Sequence, residues 1–266
     1  MSEEISTFRG AGAKLLYDVC GPTARYLGEE SVLLAKVGVE NLKNVFEKAH
    51  AKLVLLKKTD GSVPPRIIKN VLEQGYFCED EVQATYLGGI LASSKSSISR
   101  DDRAISYLSL LNTMSTYQIR THFILYSSLL KLDPLRFEEM KRGLFSGSVV
   151  AHISDSDYIQ AMEYSSRENP YDIASHAFIG LQTKGLIVGG HKSGGHFRHE
   201  LILAGHLKPG PLRVFRPTHL GSELFMWGAG VGEEGSSGFD PALLQRFAIP
   251  VIAMPIYLTG GRVENG

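Results

Sequence analysis

The sequence has little cysteine, no excess of charge and no long apolar run. Only Cys20 and Cys78 occur among 266 residues, which excludes a disulfide framework and is typical of a reducing compartment. The 28 basic and 28 acidic side chains cancel, so no overall charge attracts the chain to nucleic acid or anionic lipid. The most apolar late stretch, residues 249–258, contains two prolines and is far shorter than the roughly 20 residues of a membrane span. We therefore expect a soluble cytoplasmic protein with no membrane partner.

The first residues, MSEEI, are acidic and no apolar segment follows them directly, so we expect no secretory signal. The hydrophobic fraction of 43% suffices for an ordinary core, and the length suits one large or two modest domains.

Apolar residues at steps of three and four predict helices over most of the chain. Ser115 and Gln118 have the spacing of a capping box, and Asn169-Pro170 followed by Gly185 predicts a helix between them. On that helix we expect Ile173, Ala177 and Leu181, with Ile179 and Leu186 nearby, to make one apolar face. Short strand patterns follow at residues 186–188, 196–205 and 212–218, separated by glycine and proline turns, and a helix at 222–229 completes the series.

This order predicts a mainly α protein, with a multi-helical N-terminal region and a C-terminal winged-helix-like unit that combines helices with a small β-hairpin. The predicted divisions are a helical region at residues 1–147, the winged-helix-like unit at 148–228 and a weakly patterned tail at 229–266.

The stretch GLIVGGHKSGGHFRHELI at residues 185–202 permits three interpretations. A phosphate-binding loop needs glycines where Leu186 and His191 stand before Lys192-Ser193, so that motif fails. Five of the nine histidines lie between His191 and His219, but no His-Glu-x-x-His motif and no cysteine pair accompanies them. The third interpretation, an exposed hairpin with paired glycines at its bends, needs the fewest assumptions. We predict no catalytic residue, no metal and no cofactor.

In a winged helix, such a hairpin lies beside nucleic acid, which makes basic side chains near it candidates for phosphate contacts. The candidate nucleic-acid-binding residues are Lys184, Lys192, Arg198, Arg213 and Arg216. The helix that would enter the groove carries only one of these cations, Lys184 near its C-terminal end, whereas DNA readers expose polar or basic side chains from the first turns. A protein-binding use of the unit stays open beside the nucleic-acid use.

Several stretches of the sequence resemble the bacterial Abi-alpha family, which is linked by name to abortive infection, the arrest of phage production in an infected cell. The stretches are residues 41–49 (NLKNVFEKA), 63–67 (VPPRI), 79–83 (EDEVQ), 91–93 (LAS), 181–187 (LQTKGLI) and 217–221 (PTHLG), within a match from about 15 to 228. Where the family usually has Trp-Ala-x-Leu-Leu-Ala, this chain has YLGGILA at residues 86–92, and its hairpin and tail are longer.

The resemblance implies an all-helical protein that ends in a small helix-and-hairpin unit, and it carries no catalytic residues. Our leading hypothesis is a phage-defence factor that acts by binding a protein or nucleic-acid partner. The alternative is a winged-helix DNA-binding regulator, and the third hypothesis is a histidine-ligated metalloenzyme.

Overall fold

The structure is a computed structural model that describes residues 36–98, 100–146, 149–193, 211–234, 239–247 and 252–260. The helices of this part of the chain are α1 (Lys36–Leu55), α2 (Pro65–Tyr76), α3 (Glu81–Ser93), α4 (Ala104–Asn112), α5 (Thr116–Leu129), α6 (Pro134–Ser146), α7 (Asp155–Met162), α8 (Pro170–Thr183) and α9 (His219–Ala229). The strands are β1 (Val149–Ser154), β2 (Ile187–Ser193), β3 (Leu212–Pro217) and β4 (Ile256–Gly260), and a 3-10 helix spans Pro241–Arg246. The chain is thus mainly helical, as predicted, with one small antiparallel sheet.

The contacts divide the chain into two compact units. Unit 1 comprises residues 1–113 and 226–250, and unit 2 comprises residues 114–225 and 251–266. The predicted division between residues 147 and 148 lies outside the described residues.

Unit 1 is built around α3, which is buried along its length apart from Glu81 and Gln83. Asp80 caps this helix by accepting the Gln83 N–H at 2.8 Å. Its two glycines allow close packing: a Cβ on Gly89 would lie 1.7 Å from the carbonyl oxygen of Gly228. Because an apolar helix surrounded on all sides must be the centre of its unit, α3 forms the core against which α1, α2 and α4 pack.

Unit 2 combines helices with a four-stranded antiparallel sheet in the order β2-β3-β1-β4. The register pairs Ala151 of β1 with Phe215 of β3 on one side and with Leu258 of β4 on the other. A bulge interrupts the β2–β3 pairing between Gly189 and His191, where Gly190 has a φ of +113° that glycine tolerates best.

Several sequence predictions are confirmed here. Ser115 and Gln118 form the capping box of α5, and Asn169 caps α8 by accepting the Tyr171 N–H at 3.1 Å. Four elements were missed, namely α6, β1, the 3-10 helix and β4, and the last two lie in the predicted tail. The expectation for Ile179 was wrong, because that side chain is 63% exposed.

No helix among the described residues is long and apolar enough to cross a membrane.

Candidate functional site

The local sequence fixes both ends of α8. Pro170 occupies the first helical turn, where its missing N–H costs nothing, and Gly185 ends the helix with a φ of +70°. The Gly185 N–H bonds the Gln182 carbonyl at 3.0 Å and the Leu186 N–H bonds the Leu181 carbonyl at 2.9 Å, which is a Schellman ending. The chain therefore passes directly from α8 into β2.

The inner face of α8 is buried and packs against α5. This face consists of Ala174, Ala177, Phe178 and Leu181. Gly180 allows the close approach, since a Cβ there would lie 1.9 Å from the Gln118 side-chain nitrogen. Such packing holds α8 in one orientation, so its opposite face is presented in a fixed geometry.

The outer face of α8 consists of the exposed residues Tyr171, Asp172, Ser175, His176, Ile179, Gln182 and Thr183. Tyr171 is 50% exposed and Ile179 is 63% exposed, and Val188 on the adjoining strand β2 is 50% exposed. Asp172 is the one Asp, Glu, Lys or Arg residue of this face. The outer face is therefore partly apolar and carries no Lys or Arg.

Arg213 on β3 is buried and forms an ion pair with Asp155 at the start of α7. The Arg213 Nε lies 2.6 Å from Asp155 Oδ1, and the two side chains are 4% and 3% exposed. The guanidinium also lies over the rings of Phe178 and Tyr158, at 4.9 and 6.0 Å. Arg213 thus joins α7, α8 and β3 inside unit 2 instead of facing solvent.

The other candidate nucleic-acid-binding residues are placed differently. Lys184 is half-buried at the C-terminal end of α8, and Arg216 is exposed on β3 opposite Val188 of β2. Lys192 belongs to β2, but its side chain and the whole of Arg198 lie outside the described residues. Of the five candidates, Lys184 and Arg216 keep solvent-accessible surface next to or on the β2–β3 hairpin. Their role in nucleic-acid binding stays a prediction.

His122, His152, His176 and His219 each lie within hydrogen-bond or ion-pair distance of another residue. His122 on α5 is fully buried, its Nε2 lies 3.0 Å from the Gly221 carbonyl oxygen, and burial lowers its pKa to about 3. The imidazole is therefore neutral and donates from Nε2. No group of three or more possible metal ligands occurs among the described residues, while His196, His199, His206 and the side chain of His191 lie outside them.

Comparison with known proteins gives no match among family models, curated proteins or solved structures.

Proposed function

We propose that this protein is a phage-defence factor of the Abi-alpha kind that acts by binding a protein partner through the outer face of α8. The setting in phage defence comes from the sequence resemblance at residues 41–93 and 181–221. Features of unit 2 support the proposed mode of action.

The element order of unit 2 supports a winged-helix unit. Strand β1 is followed by the helices α7 and α8 and then by the pair β2 and β3, and β3 lies between β1 and β2 in the sheet. In such units the second helix of the pair is the one presented to a binding partner. Here that helix is α8, whose inner face is locked against α5.

The chemistry of the outer face favours protein over nucleic acid, and this observation carries the proposal. Tyr171, Ile179 and Val188 expose apolar surface, and Asp172 at the first turn would repel a phosphate. Protein interfaces are enriched in aromatic and apolar side chains and poor in charge at their centres. DNA readers expose basic side chains from the first turns of the helix, whereas the first turns of α8 carry Asp172 and no Lys or Arg.

The test is phage challenge of cells that carry the gene, an empty vector or variants. We expect lower phage yield with the gene and loss of this protection in the double variant Tyr171→Ser/Ile179→Ser, because both changes remove exposed apolar surface without touching the core. The matched control is Leu135→Ser in α6, also in unit 2 and 83% exposed, which should protect like the natural chain. Equal yields with and without the gene over a broad phage panel would overturn the defence role, and full protection by the double variant would overturn the binding surface.

A second candidate function is nucleic-acid binding by the same unit. It is favoured by the exposed Arg216 on β3 and by Lys184 at the end of α8, with Lys192 in the same hairpin and Arg198 beyond the described part. A gel shift with duplex DNA would then weaken as salt rises, and the Lys184→Ala/Arg216→Ala variant would lower the salt slope by roughly 0.9 for each lost phosphate contact. Absence of a shift at low salt excludes this candidate and leaves the protein-binding proposal intact.

A further inference from the structure

A serine and a histidine from different helices meet at the start of α5. Ser115 Oγ lies 3.1 Å from His176 Nε2, and the two residues are 61 positions apart in the chain. Ser115 is half-buried and His176 is exposed on the outer face of α8, so both can be reached from solvent. A nucleophile within hydrogen-bond reach of a base is the geometry that activates a serine.

Two donors lie within hydrogen-bond distance of His176 Nε2. The Ser115 hydroxyl is 3.1 Å away and the Gln118 NH₂ group is 3.3 Å away, while Gln118 Oε1 accepts the Ser115 N–H at 3.2 Å. Nε2 has one lone pair, which faces both donors when His176 is protonated on Nδ1. In that tautomer Nε2 can accept the proton of Ser115, the nearer of the two donors.

The orientation of the Ser115 hydroxyl follows from the same network. Its oxygen already accepts the Gln118 N–H at 3.3 Å as the cap of α5, so its own hydrogen is available for donation. The acceptor at the shortest distance is His176 Nε2 at 3.1 Å. When His176 is protonated on Nδ1, the hydroxyl points its proton at Nε2, as general-base catalysis requires.

The start of α5 also supplies stabilisation for a developing negative charge. The first N–H groups of a helix, here those of Thr116 and Tyr117, have no acceptor within the helix. An oxyanion formed on a carbonyl attached to Ser115 Oγ would lie near these donors and near the positive end of the helix dipole.

We propose that Ser115 and His176 form a nucleophile and general-base pair for acyl transfer from small activated esters. Ser115 Oγ forms a bond to the acyl carbon while its proton passes to His176 Nε2, and the ester C–O bond breaks as the leaving oxygen takes that proton. Water then attacks the acyl-serine, its proton passes to His176, and the carboxylic acid leaves as Ser115 Oγ regains a proton. His176 also belongs to the outer face of α8, so a partner bound there would cover this pair, and the activity is tested on the free chain.

The test uses the full chain and a fluorophosphonate probe, which adds a phosphonyl group to an activated serine and releases fluoride. Intact mass and peptide mapping should place the adduct on Ser115. We expect His176→Gln, which keeps a hydrogen-bonding side chain, to slow labelling about 100-fold or more, because a general base contributes about that much. Ser115→Asn should abolish labelling while keeping a helix cap.

The matched control is Ser109→Ala, which removes an exposed serine on α4 and should label like the natural chain. Circular dichroism verifies that each variant is folded. Should Ser115→Asn not fold, the rate for His176→Gln decides the question on its own. No adduct on Ser115 in the natural chain, or an adduct whose rate is unchanged in folded His176→Gln, overturns the proposal.

Discussion

Replacing Lys52 with methionine should stabilise unit 1 at low pH and lose that advantage as pH rises. Lys52 lies on α1 with 1% exposure, donates to the Arg246 carbonyl at 2.9 Å and lies 5.2 Å from the centre of the Phe247 ring. Burial and, secondarily, the nearby charge of Lys48 lower the pKa of Lys52 from 10.5 to about 7. The charged groups close to it are Lys48, which pairs with Glu81, and Arg246, which pairs with Glu234.

The magnitude follows from proton linkage. At about 1.4 kcal/mol for each tenfold change in proton affinity, a pKa lowered from 10.5 to about 7 means that the folded state holds the charged amine at a cost of about 5 kcal/mol. Below pH 7 Lys52 is protonated in both the folded and the unfolded chain, so the full cost of burying its charge reduces the stability of the folded state. Between pH 7 and 10.5 the unfolded state binds more protons, and stability therefore rises with pH.

Methionine fills a similar volume without charge but leaves the Arg246 carbonyl without its donor, at about 1–3 kcal/mol. The net gain at pH 6 is then about 2–4 kcal/mol. Between pH 6 and pH 9 the linkage relation predicts that the free energy of unfolding of the natural chain rises by about 3 kcal/mol. The Lys52→Met variant should not show this rise.

The assay is urea unfolding at pH 6, 7, 8 and 9, followed by tryptophan fluorescence. Trp227 is the sole tryptophan of the sequence, is buried and belongs to unit 1, as does Lys52, so the signal reports the relevant unit. The control is Lys43→Met on the same helix, where the natural side chain is 45% exposed and the change should stay within about 0.5 kcal/mol at every pH. If the natural chain and Lys52→Met show parallel pH profiles within about 0.5 kcal/mol, the reasoning from burial is refuted.

Two further substitutions test the packing of each unit. Gly89→Ala should destabilise unit 1 by about 3 kcal/mol or more, because the new Cβ would lie 1.7 Å from the Gly228 carbonyl oxygen and the backbone would have to move. Urea unfolding followed by Trp227 fluorescence measures this loss of stability. An unchanged unfolding midpoint would contradict the prediction. Arg213→Leu should destabilise unit 2 by about 3–5 kcal/mol because it leaves the Asp155 carboxylate buried without its cation, as far-ultraviolet circular dichroism in urea can show. Arg216→Leu on the exposed side of the same strand is its control, and equal losses in both variants would count against the burial argument.

Local signals predicted the helices well because their causes lie within a few residues. The capping box of α5 needs only Ser115 and Gln118, and the ends of α8 need only Asn169, Pro170 and Gly185. Strand β1 was missed because buried and exposed residues do not alternate along it. Strand β4 was missed because it pairs with β1, about 107 residues earlier, and local periodicity carries no information about so distant a partner.

The outer face of α8 was only partly predictable. Ile179 is two residues from both Ala177 and Leu181, so at 3.6 residues per turn it points away from the buried face to which we had expected it to belong. Arg213 looked available for phosphates, but its partner Asp155 is 58 residues earlier, and only the folded chain brings the two charges to 2.6 Å. The contact between Ser115 and His176 is also long-range, because the two residues are 61 positions apart. The local sequence identifies Ser115 only as a helix cap and gives no sign of this contact.

In both units, single polar bonds from buried helices fix the position of late, weakly patterned segments. Within unit 1, Lys52 donates to the Arg246 carbonyl, and Ser93 Oγ accepts the Gly232 N–H at 3.1 Å. Within unit 2, Ser128 Oγ accepts the Met254 N–H at 3.0 Å just before β4 begins. Apolar burial is non-directional and does not define one register for a short segment, whereas a buried donor left without its acceptor costs about 1–3 kcal/mol. The apolar helices therefore supply the bulk of the stability, and these hydrogen bonds determine where the late segments lie.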